Sequence, residues 1–261
     1  MSFFVAAQTD IGTTKNTNQD SYTVKSANTA QYGPVLMGVV CDGMGGLSKG
    51  ELASATVVKA FSDWFDNSLA LLLQNNQITF STIQNEWNKL VKALNSKIGN
   101  YGIENGFSLG TTLVAVLCVQ NKLFVVNVGD SRLYKISSSV VRLTRDQSLV
   151  AQEIASGKLA PEAEETDSRR NVLLQCVGAS NVVVPEFQEY TAEPGVIYLL
   201  CSDGFRHKIK EEELLGLLSP RIISDESFLS STLEDIISLL KQRKETDNIT
   251  AVAFKICGEC F

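Results

Sequence analysis

Five short apolar runs rich in β-branched residues constrain the fold of this chain more than any other feature. They are nearly continuous instead of alternating, which is typical of strands buried on both faces or packed on a second sheet. Gln120-Asn121 separates two of the runs and predicts a tight hairpin, and residues 131–144 predict a further hairpin. The runs are 34–42, 111–119, 122–130, 195–203 and 248–257.

Helical periodicity falls between these runs. Residues 52–73 and 81–98 carry apolar side chains at helical spacing, which predicts Trp64 and Trp87 to be core residues. Asp146 is the expected N-cap of a helix ended by Gly157, and further helices are predicted at 210–218 and 226–243. Strands and helices come in blocks, which favours a layered α+β fold over a doubly wound sheet, with one domain over 1–261.

Aspartates stand at the ends of the predicted strands. Asp42, Asp130 and Asp203 each follow an apolar run, and Asp247 precedes the last one. Any one of them could be an ordinary turn or capping aspartate. Four together at buried strand ends would repel one another unless cations neutralise them, and oxygen ligands favour Mg²⁺ or Mn²⁺. The pattern therefore predicts a metal cluster.

The glycine-rich loop 42–51 supports this interpretation, because the Gly43 carbonyl can approach an ion closely. A nucleotide phosphate is the alternative ligand of such a loop, but the glycine spacing fits neither the GxxxxGK[ST] nor the GxGxxG pattern. A second irregular stretch, 157–171, is either a solvated loop or part of a mobile flap over a site, spanning about 150–175.

Composition removes several classes of function. The chain has one histidine, His207, which excludes Ser-His-Asp and Cys-His catalysis and His-rich zinc sites. A net charge of −6 argues against binding of nucleic acid by charge alone. No apolar run is long enough to span a membrane and no basic segment precedes the first apolar stretch, so a cytoplasmic location without membrane insertion is expected.

Six cysteines do not predict a disulfide framework. Cys41, Cys118, Cys176 and Cys201 lie in or beside apolar runs, where a free thiol behaves as a small apolar group. Cys257 and Cys260 form a lone CxxC, and a zinc site would need two further ligands. An incidental surface pair is expected there, in preference to a redox or metal site.

Seven motifs follow one another along nearly the whole chain. They are TDIGTTKNTNQDSY (9–22), VVCDGMGG (39–46), LGTTLVAV (109–116), VNVGDSRLYKI (126–136), LTRDQSL (143–149), CSDGF (201–205) and TDNITAV (246–252). Together and in this order they resemble the motifs of the metal-dependent protein phosphatases, the PPM or type-2C serine/threonine phosphatase family, especially its compact bacterial members.

The resemblance implies a four-layer α-β-β-α sandwich, with two mainly antiparallel sheets between helices and a two-metal site at one edge. Asp42 would bridge two Mn²⁺ or Mg²⁺ ions, and the Gly43 carbonyl would bind one of them. Asp203 and Asp247 would complete the other shell, and Asp20 would ligate directly or hold a metal-bound water. These four aspartates would form the catalytic set. Asp130 would help bind a third metal ion that is held more weakly.

The implied reaction is hydrolysis of phosphoserine or phosphothreonine in proteins, by a metal-bridging hydroxide that attacks phosphorus in line. The expected partners are phosphoprotein substrates and a serine/threonine kinase, and the expected oligomeric state is a monomer. Two alternatives stay open: a phosphatase of small phosphoesters, and a catalytically weak binding module of the same fold. Retention of all four catalytic aspartates argues against the second alternative, and a nuclease is disfavoured by the negative charge.

Two positions depart from the family pattern. Lys15 stands where the family usually has an arginine, so it is expected to bind substrate phosphate as a point charge instead of a bidentate fork. Met44 stands where eukaryotic relatives carry a histidine proposed as a general acid, so the leaving oxygen is expected to take its proton from water. His207 is expected to have a surface or flap-adjacent structural role.

Overall fold

The computed structural model describes residues 2–44, 49–164 and 166–258. It contains two five-stranded sheets in which every paired strand is antiparallel. The strands are β1 (Ser2–Asp10), β2 (Ser21–Thr29), β3 (Gly33–Cys41), β4 (Leu113–Val119), β5 (Lys122–Val128), β6 (Arg132–Ile136), β7 (Val140–Arg142), β8 (Glu186–Thr191), β9 (Ile197–Cys201) and β10 (Ile249–Cys257).

The first sheet has the strand order β1-β10-β9-β6-β7 and the second has the order β2-β3-β4-β5-β8. They face each other across a shared core to which β3, β4, β9 and β10 all contribute. Strand β4 shows the alternation clearly. Val114 and Val116 point into the inter-sheet core, whereas Leu113, Ala115 and Leu117 point to the helices on the other face. Burial on both faces explains the continuous apolar sequence of this strand.

Helices cover the outer faces of both sheets. They are α1 (Gly50–Trp64), continued by a π-helical turn (Phe65–Leu69) and α2 (Ala70–Gln74), then α3 (Phe80–Asn105), α4 (Leu149–Ala155), α5 (Asp203–Arg206), α6 (Glu211–Leu217) and α7 (Glu226–Gln242). A short 3-10 turn spans Pro161–Ala163. The predicted four-layer α+β sandwich is confirmed.

The two outer layers use different anchors. Phe61 of α1 and Trp87 of α3 pack 5.5 Å apart, centroid to centroid, over the second sheet. On α7, the residues Leu229, Leu233 and Ile236 recur at helical spacing and are fully buried against the first sheet. The prediction that both tryptophans are core residues is confirmed.

Several local expectations are confirmed within a few residues. The five apolar runs form β3, β4, β5, β9 and β10, residues 131–144 contain the β6–β7 hairpin, and Gln120-Asn121 joins β4 to β5 with Gln120 at φ 52°. One cap was wrong. Ser148, and not Asp146, caps α4, because its side chain accepts a hydrogen bond from Ala151 N while Asp146 binds Arg132.

The expectation that four of the cysteines are free thiols in apolar surroundings is confirmed. Cys41, Cys118, Cys176 and Cys201 are buried free thiols, and Cys257 is a partly exposed free thiol. Cys260 lies outside the described residues, as do residues 45–48 of the glycine-rich loop. Among the described helices, none is long and apolar enough to cross a bilayer.

Candidate metal centre

Asp42 follows β3, and its backbone is fixed to the start of β4. Its N–H donates to Thr112 Oγ1 at 2.9 Å, and its carbonyl accepts from Thr112 N and from Thr111 Oγ1, also at 2.9 Å. The Gly43 N–H donates to Gln19 O at 3.1 Å, and a Cβ on Gly43 would lie 2.4 Å from that oxygen. Only glycine therefore permits this close approach between the end of β3 and the segment before β2.

The loop before β10 packs against the same segment before β2. The Asn248 side chain joins them, with Nδ2 donating to Ile11 O at 2.9 Å and Oδ1 accepting from Gln19 N at 2.9 Å. Asp20 thereby comes close enough to Asp247 for the charge of Asp247 to raise the pKa of Asp20. Motifs from the two ends of the sequence thus form one surface.

Asp203 begins α5 immediately after β9 and is 8% exposed. A Cβ on the next residue, Gly204, would lie 2.1 Å from Asn248 O, so glycine is required for α5 to lie this close to the loop before β10. Within the part of the chain that the structure describes, Asp203 Oδ1 has no hydrogen-bond partner. The Asp203 carboxyl lies close enough to Asp247 for the charge of Asp247 to raise the pKa of Asp203.

Asp20 is buried in the same way. Its Oδ2 accepts a hydrogen bond from Ser202 Oγ at 2.8 Å, whereas Oδ1 has no hydrogen-bond partner among the described residues. Burial raises the pKa of Asp20 to about 7. Hydrogen bonds from Thr250 and Ser202 oppose that rise, and the charge of Asp203 adds to it.

Burial and neighbouring charges also raise the pKa values of two other predicted ligands, Asp42 and Asp203. Burial, followed by the charges of Asp20 and Asp203, raises the pKa of Asp42 well above its ordinary value. Burial also raises the pKa of Asp203 to about 6, although the Arg206 guanidinium opposes that rise. The aspartates therefore destabilise one another as anions, which is the condition that a bound divalent cation relieves.

Asp130 belongs to the same electrostatic group. It follows β5, is 5% exposed, and receives Arg206 Nη2 at 3.2 Å on Oδ2. Burial and the charge of Asp203 raise the pKa of Asp130 to about 7, against the effect of Arg206. Arg206 continues to Asp146, 3.6 Å away, and Asp146 makes a two-pronged contact with Arg132 at 2.6–3.1 Å. No pattern in the sequence indicated that Arg206 and Arg132 lie beside these aspartates.

The structure thus brings Asp20, Asp42, Asp130, Asp203 and Asp247 together at one edge of the sandwich. As the side chains are placed, no three acidic, cysteine or histidine residues in the described ranges already have an arrangement that could hold an ion. Several carboxylates instead bind donors of the chain itself. The chemistry nevertheless fits a hard cation, because the donors are carboxylate oxygens and two of them are buried without a hydrogen bond.

Lys15 lies beside this group. Its Nζ is 2.9 Å from Asp247 Oδ1, and both side chains are about one-third exposed. Partial burial alone would lower the pKa of Lys15, but the hydrogen bond to Asp247 and the charges of Asp247, Asp42 and Asp203 outweigh that effect, so the pKa is raised. Lys15 is therefore a charged side chain at the site edge, and its predicted contact with substrate phosphate stays a prediction.

His207 was expected to have a surface or flap-adjacent structural role. The surface alternative was wrong, whereas Glu164 of the predicted flap lines the same cavity as His207. The His207 side chain is 7% exposed and lies between two carboxylates, with Nε2 3.5 Å from Asp203 Oδ2 and Nδ1 4.0 Å from Glu245 Oε2. Neither the position of His207 after CSDGF nor that of Glu245 before TDNIT indicated this contact. Buried contacts between distant segments leave no periodic signal in a sequence.

The stretch that was predicted as a flap, 150–175, begins within α4 and ends before β8. It includes residue 165, which lies outside the described residues. Glu164 Oε1 accepts from Arg142 Nη1 at 2.6 Å and from Arg132 Nη2 at 3.1 Å. A cavity of 590 Å³ opens beside it, lined in part by Arg145 and Gln147. Gln147 N donates to Gly129 O at 2.9 Å, so one lining residue is bound to the residue before Asp130, although none of the five aspartates lines the cavity.

Comparison with known proteins decides the family. A family model described as protein phosphatase 2C matches residues 12–251. The chain belongs to the protein phosphatase 2C family. As expected from the motifs, this protein phosphatase 2C is a serine/threonine phosphatase of the bacterial type, and metal dependence is a property of the family.

The similarity to known proteins covers nearly the whole chain. The serine/threonine phosphatase stp of Listeria monocytogenes serotype 4b is 31% identical over 250 residues, covering 94% of this chain and 92% of that relative. A putative protein phosphatase 2C-type of Streptococcus pyogenes serotype M6 is 30% identical over 249 residues, covering 94% of each. The solved structure of the S. agalactiae serine/threonine phosphatase superposes with a TM-score of 0.83 at 27% identity, covering 98% of this chain and 100% of that one.

Proposed function

We propose that this protein hydrolyses phosphoserine and phosphothreonine in proteins with two divalent cations, Mn²⁺ or Mg²⁺, held by Asp20, Asp42, Asp203 and Asp247. The observation that carries the proposal is that burial and the charge of Asp203 raise the pKa of both Asp20 and Asp42, while Asp20 and Asp203 each bury an oxygen without a hydrogen bond among the described residues. Family membership supports the reaction class.

In this proposal, Asp42 and the Gly43 carbonyl would help hold the two ions, and Asp203 and Asp247 would supply further ligands. Asp130 would contribute to a third, weaker position. When bound, the ions activate water for attack on phosphorus in line with the leaving oxygen and neutralise charge on the phosphoryl oxygens. Binding of the cations requires side chains to exchange partners, because Asp247 contacts Lys15 and Asp20 contacts Ser202.

The remaining roles fall to groups of the chain. Lys15, at the edge of the site, binds the substrate phosphate as a point charge once it leaves Asp247. The leaving oxygen takes its proton from solvent, since the one histidine of the chain, His207, is engaged between Asp203 and Glu245. The three hydrogen bonds between the Asp42 backbone and Thr111 and Thr112 restrain its orientation.

We further propose that the chain works as a cytoplasmic monomer with a single domain over 1–261, and that 150–175 acts as a flap over the site. Four buried free thiols are consistent with a reducing compartment. A serine/threonine kinase, or a target of such a kinase, is the proposed partner, which rests on family analogy.

The test is hydrolysis of a phosphothreonine peptide, with and without Mn²⁺, by the wild type, by Asp203→Asn and by the exposed control Asp235→Asn. Turnover that requires Mn²⁺, disappears with a chelator and falls at least a hundredfold only in Asp203→Asn supports the proposal. Turnover indifferent to the chelator and to Asp203→Asn contradicts it. Faster turnover of free phosphoserine than of the peptide would move the assignment to a small-molecule phosphatase.

A further inference from the structure

Glu245 is a buried carboxylate that the proposed reaction does not use. It is 3% exposed and follows the end of α7, where its N–H donates to Leu240 O at 3.0 Å. Its Oε1 accepts two consecutive backbone N–H groups, from Thr246 at 2.7 Å and from Asp247 at 3.0 Å. A carboxylate that accepts two amide hydrogen bonds fixes the backbone from which Asp247 projects.

The other oxygen of Glu245 faces the element that carries Asp203. Oε2 has no hydrogen-bond partner in the described part of the chain and lies 4.0 Å from His207 Nδ1, an ion-pair distance beyond hydrogen bonding. The ring nitrogen Nε2 of His207 lies 3.5 Å from Asp203 Oδ2. The backbone N–H of His207 donates to the backbone carbonyl of Asp203 at 3.1 Å. Glu245 and His207 therefore form a bridge between the loop of Asp247 and the helix of Asp203.

The carbonyl oxygens of the same loop are held from the opposite side. Thr13 Oγ1 donates to Glu245 O at 2.5 Å, and Thr14 Oγ1 donates to Thr246 O at 2.7 Å. Two threonine hydroxyls thus satisfy the carbonyls while the Glu245 carboxylate satisfies the amides. Burial of a carboxylate is costly without compensation, and here the two amide hydrogen bonds compensate one oxygen while the other faces His207. An ordinary turn after a helix needs neither contact.

We propose that Glu245 and His207 are positioning residues that hold Asp203 and Asp247 at the separation required to share one divalent cation. The inference rests on the proposed function, because it assumes that these two aspartates are ligands. Groups that orient metal ligands without touching the ion commonly change metal affinity by about 10- to 100-fold when they are removed.

The experiment compares Glu245→Ala, Glu245→Gln and His207→Gln with the control Glu104→Ala, an exposed glutamate on α3. Without metal, hydrogen exchange of the Thr246 and Asp247 amides is followed by NMR. Glu245→Ala is expected to accelerate exchange of both amides at least tenfold. Glu245→Gln retains an acceptor oxygen and is expected to preserve most of the protection, and Glu104→Ala is expected to match the wild type.

Mn²⁺ affinity is then measured by electron paramagnetic resonance in the absence of substrate. Glu245→Ala and His207→Gln are each expected to weaken binding about 10-fold or more, with kcat at saturating Mn²⁺ affected more than KM. Glu245→Gln is expected to fall between them and the wild type. If Glu245→Ala does not fold, the other two variants carry the test.

Two failures are distinguishable. Unchanged Mn²⁺ affinity in folded Glu245→Ala and His207→Gln, with a wild type that hydrolyses the phosphopeptide, overturns the positioning role and leaves the proposed function intact. A wild type that shows no Mn²⁺ binding and no hydrolysis overturns the proposed function and the positioning role together.

Discussion

The ammonium nitrogen of Lys15 lies 2.9 Å from Asp247 Oδ1. A residue proposed to bind phosphate therefore occupies a carboxylate proposed to bind metal. The two assignments are compatible only if Lys15 exchanges Asp247 for the substrate phosphate when a cation takes the carboxylate. Lysine suits such an exchange because its charge sits at the end of a long flexible stem.

Replacement of Lys15 by methionine tests that exchange. The variant removes a competitor for Asp247 and a positive charge near the cation site, so we expect Mn²⁺ binding to tighten about three- to tenfold, equivalent to about 0.7–1.4 kcal/mol. KM for a phosphothreonine peptide is expected to rise at the same time. Mn²⁺ titration and steady-state kinetics measure the two effects separately.

Lys59→Met is the matched control for this change, because Lys59 pairs with Asp63 on an exposed helix face. Lys59→Met should leave the Mn²⁺ affinity and the KM for the phosphothreonine peptide unchanged. Lys15→Arg should lower KM, since a guanidinium can bind phosphate with two hydrogen bonds. Weaker Mn²⁺ binding in Lys15→Met would contradict the competition.

Gly204→Ala is expected to damage the site through the backbone. The added Cβ would lie 2.1 Å from Asn248 O, so α5 and the loop before β10 must move apart. We expect a loss of about 1–3 kcal/mol of stability and weaker Mn²⁺ binding. Gly216→Ala in α6 meets no atom within 4 Å and should instead stabilise by about 0.5–1 kcal/mol. Equal thermal shifts for the two variants would refute the steric argument.

Asp146→Asn tests the buried ion pair with Arg132, whose two side chains are 4% and 6% exposed. The substitution leaves the Arg132 charge without its main counterion, so we expect a loss of about 3–5 kcal/mol, measured by urea unfolding at neutral pH. Asp66→Asn removes the half-exposed Lys25 pair instead, and it should cost about 1 kcal/mol or less.

The cost of Asp146→Asn should also depend on pH. Burial alone would raise the pKa of Asp146, but Arg132, Arg206 and Arg142 outweigh it, so the folded pKa lies below the ordinary value. A lowered folded pKa adds stability that is complete above the unfolded pKa of about 4 and is lost as pH falls through the folded pKa. The stability difference between wild type and variant should be constant above about pH 5 and shrink below about pH 4.

Glu164→Ala should loosen the segment 150–175, because Glu164 links it to Arg142 and Arg132. Loss of about 1 kcal/mol of partly exposed ion pairing predicts about fivefold faster trypsin cleavage within the segment. Glu162→Ala, at a fully exposed position of the same segment, should leave the cleavage rate unchanged. Equal cleavage of the two variants would show that Glu164 does not restrain the segment.

The sequence predicted the buried strands well because burial on both faces leaves a continuous apolar run. It missed β1, β2 and β8, whose side chains are mostly half-exposed or exposed and whose sequences are correspondingly mixed. β1 is held mainly by pairing with β10, from Ser2 opposite Cys257 to Asp10 opposite Ile249. Such pairing is a long-range property that local periodicity does not contain.

The candidate site shows the same division. Asp42, Asp130, Asp203 and Asp247 could be selected from the sequence because each adjoins an apolar strand. Their partners could not be selected, since the Glu245–His207 and Arg206–Asp130 contacts join residues that are distant in sequence. Asp146 shows how a local rule fails, because its expected capping role gave way to a stronger interaction with Arg132.

The pairing of β1 with β10 has a consequence for synthesis. A ribosome makes β1 well before the strand that pairs with it, and the Gln19–Asn248 contact spans 229 positions. The nascent chain therefore cannot assemble its carboxylates until the residues of β10 have been translated. A product terminated between β8 and β10 would contain every strand of the second sheet but an incomplete carboxylate group.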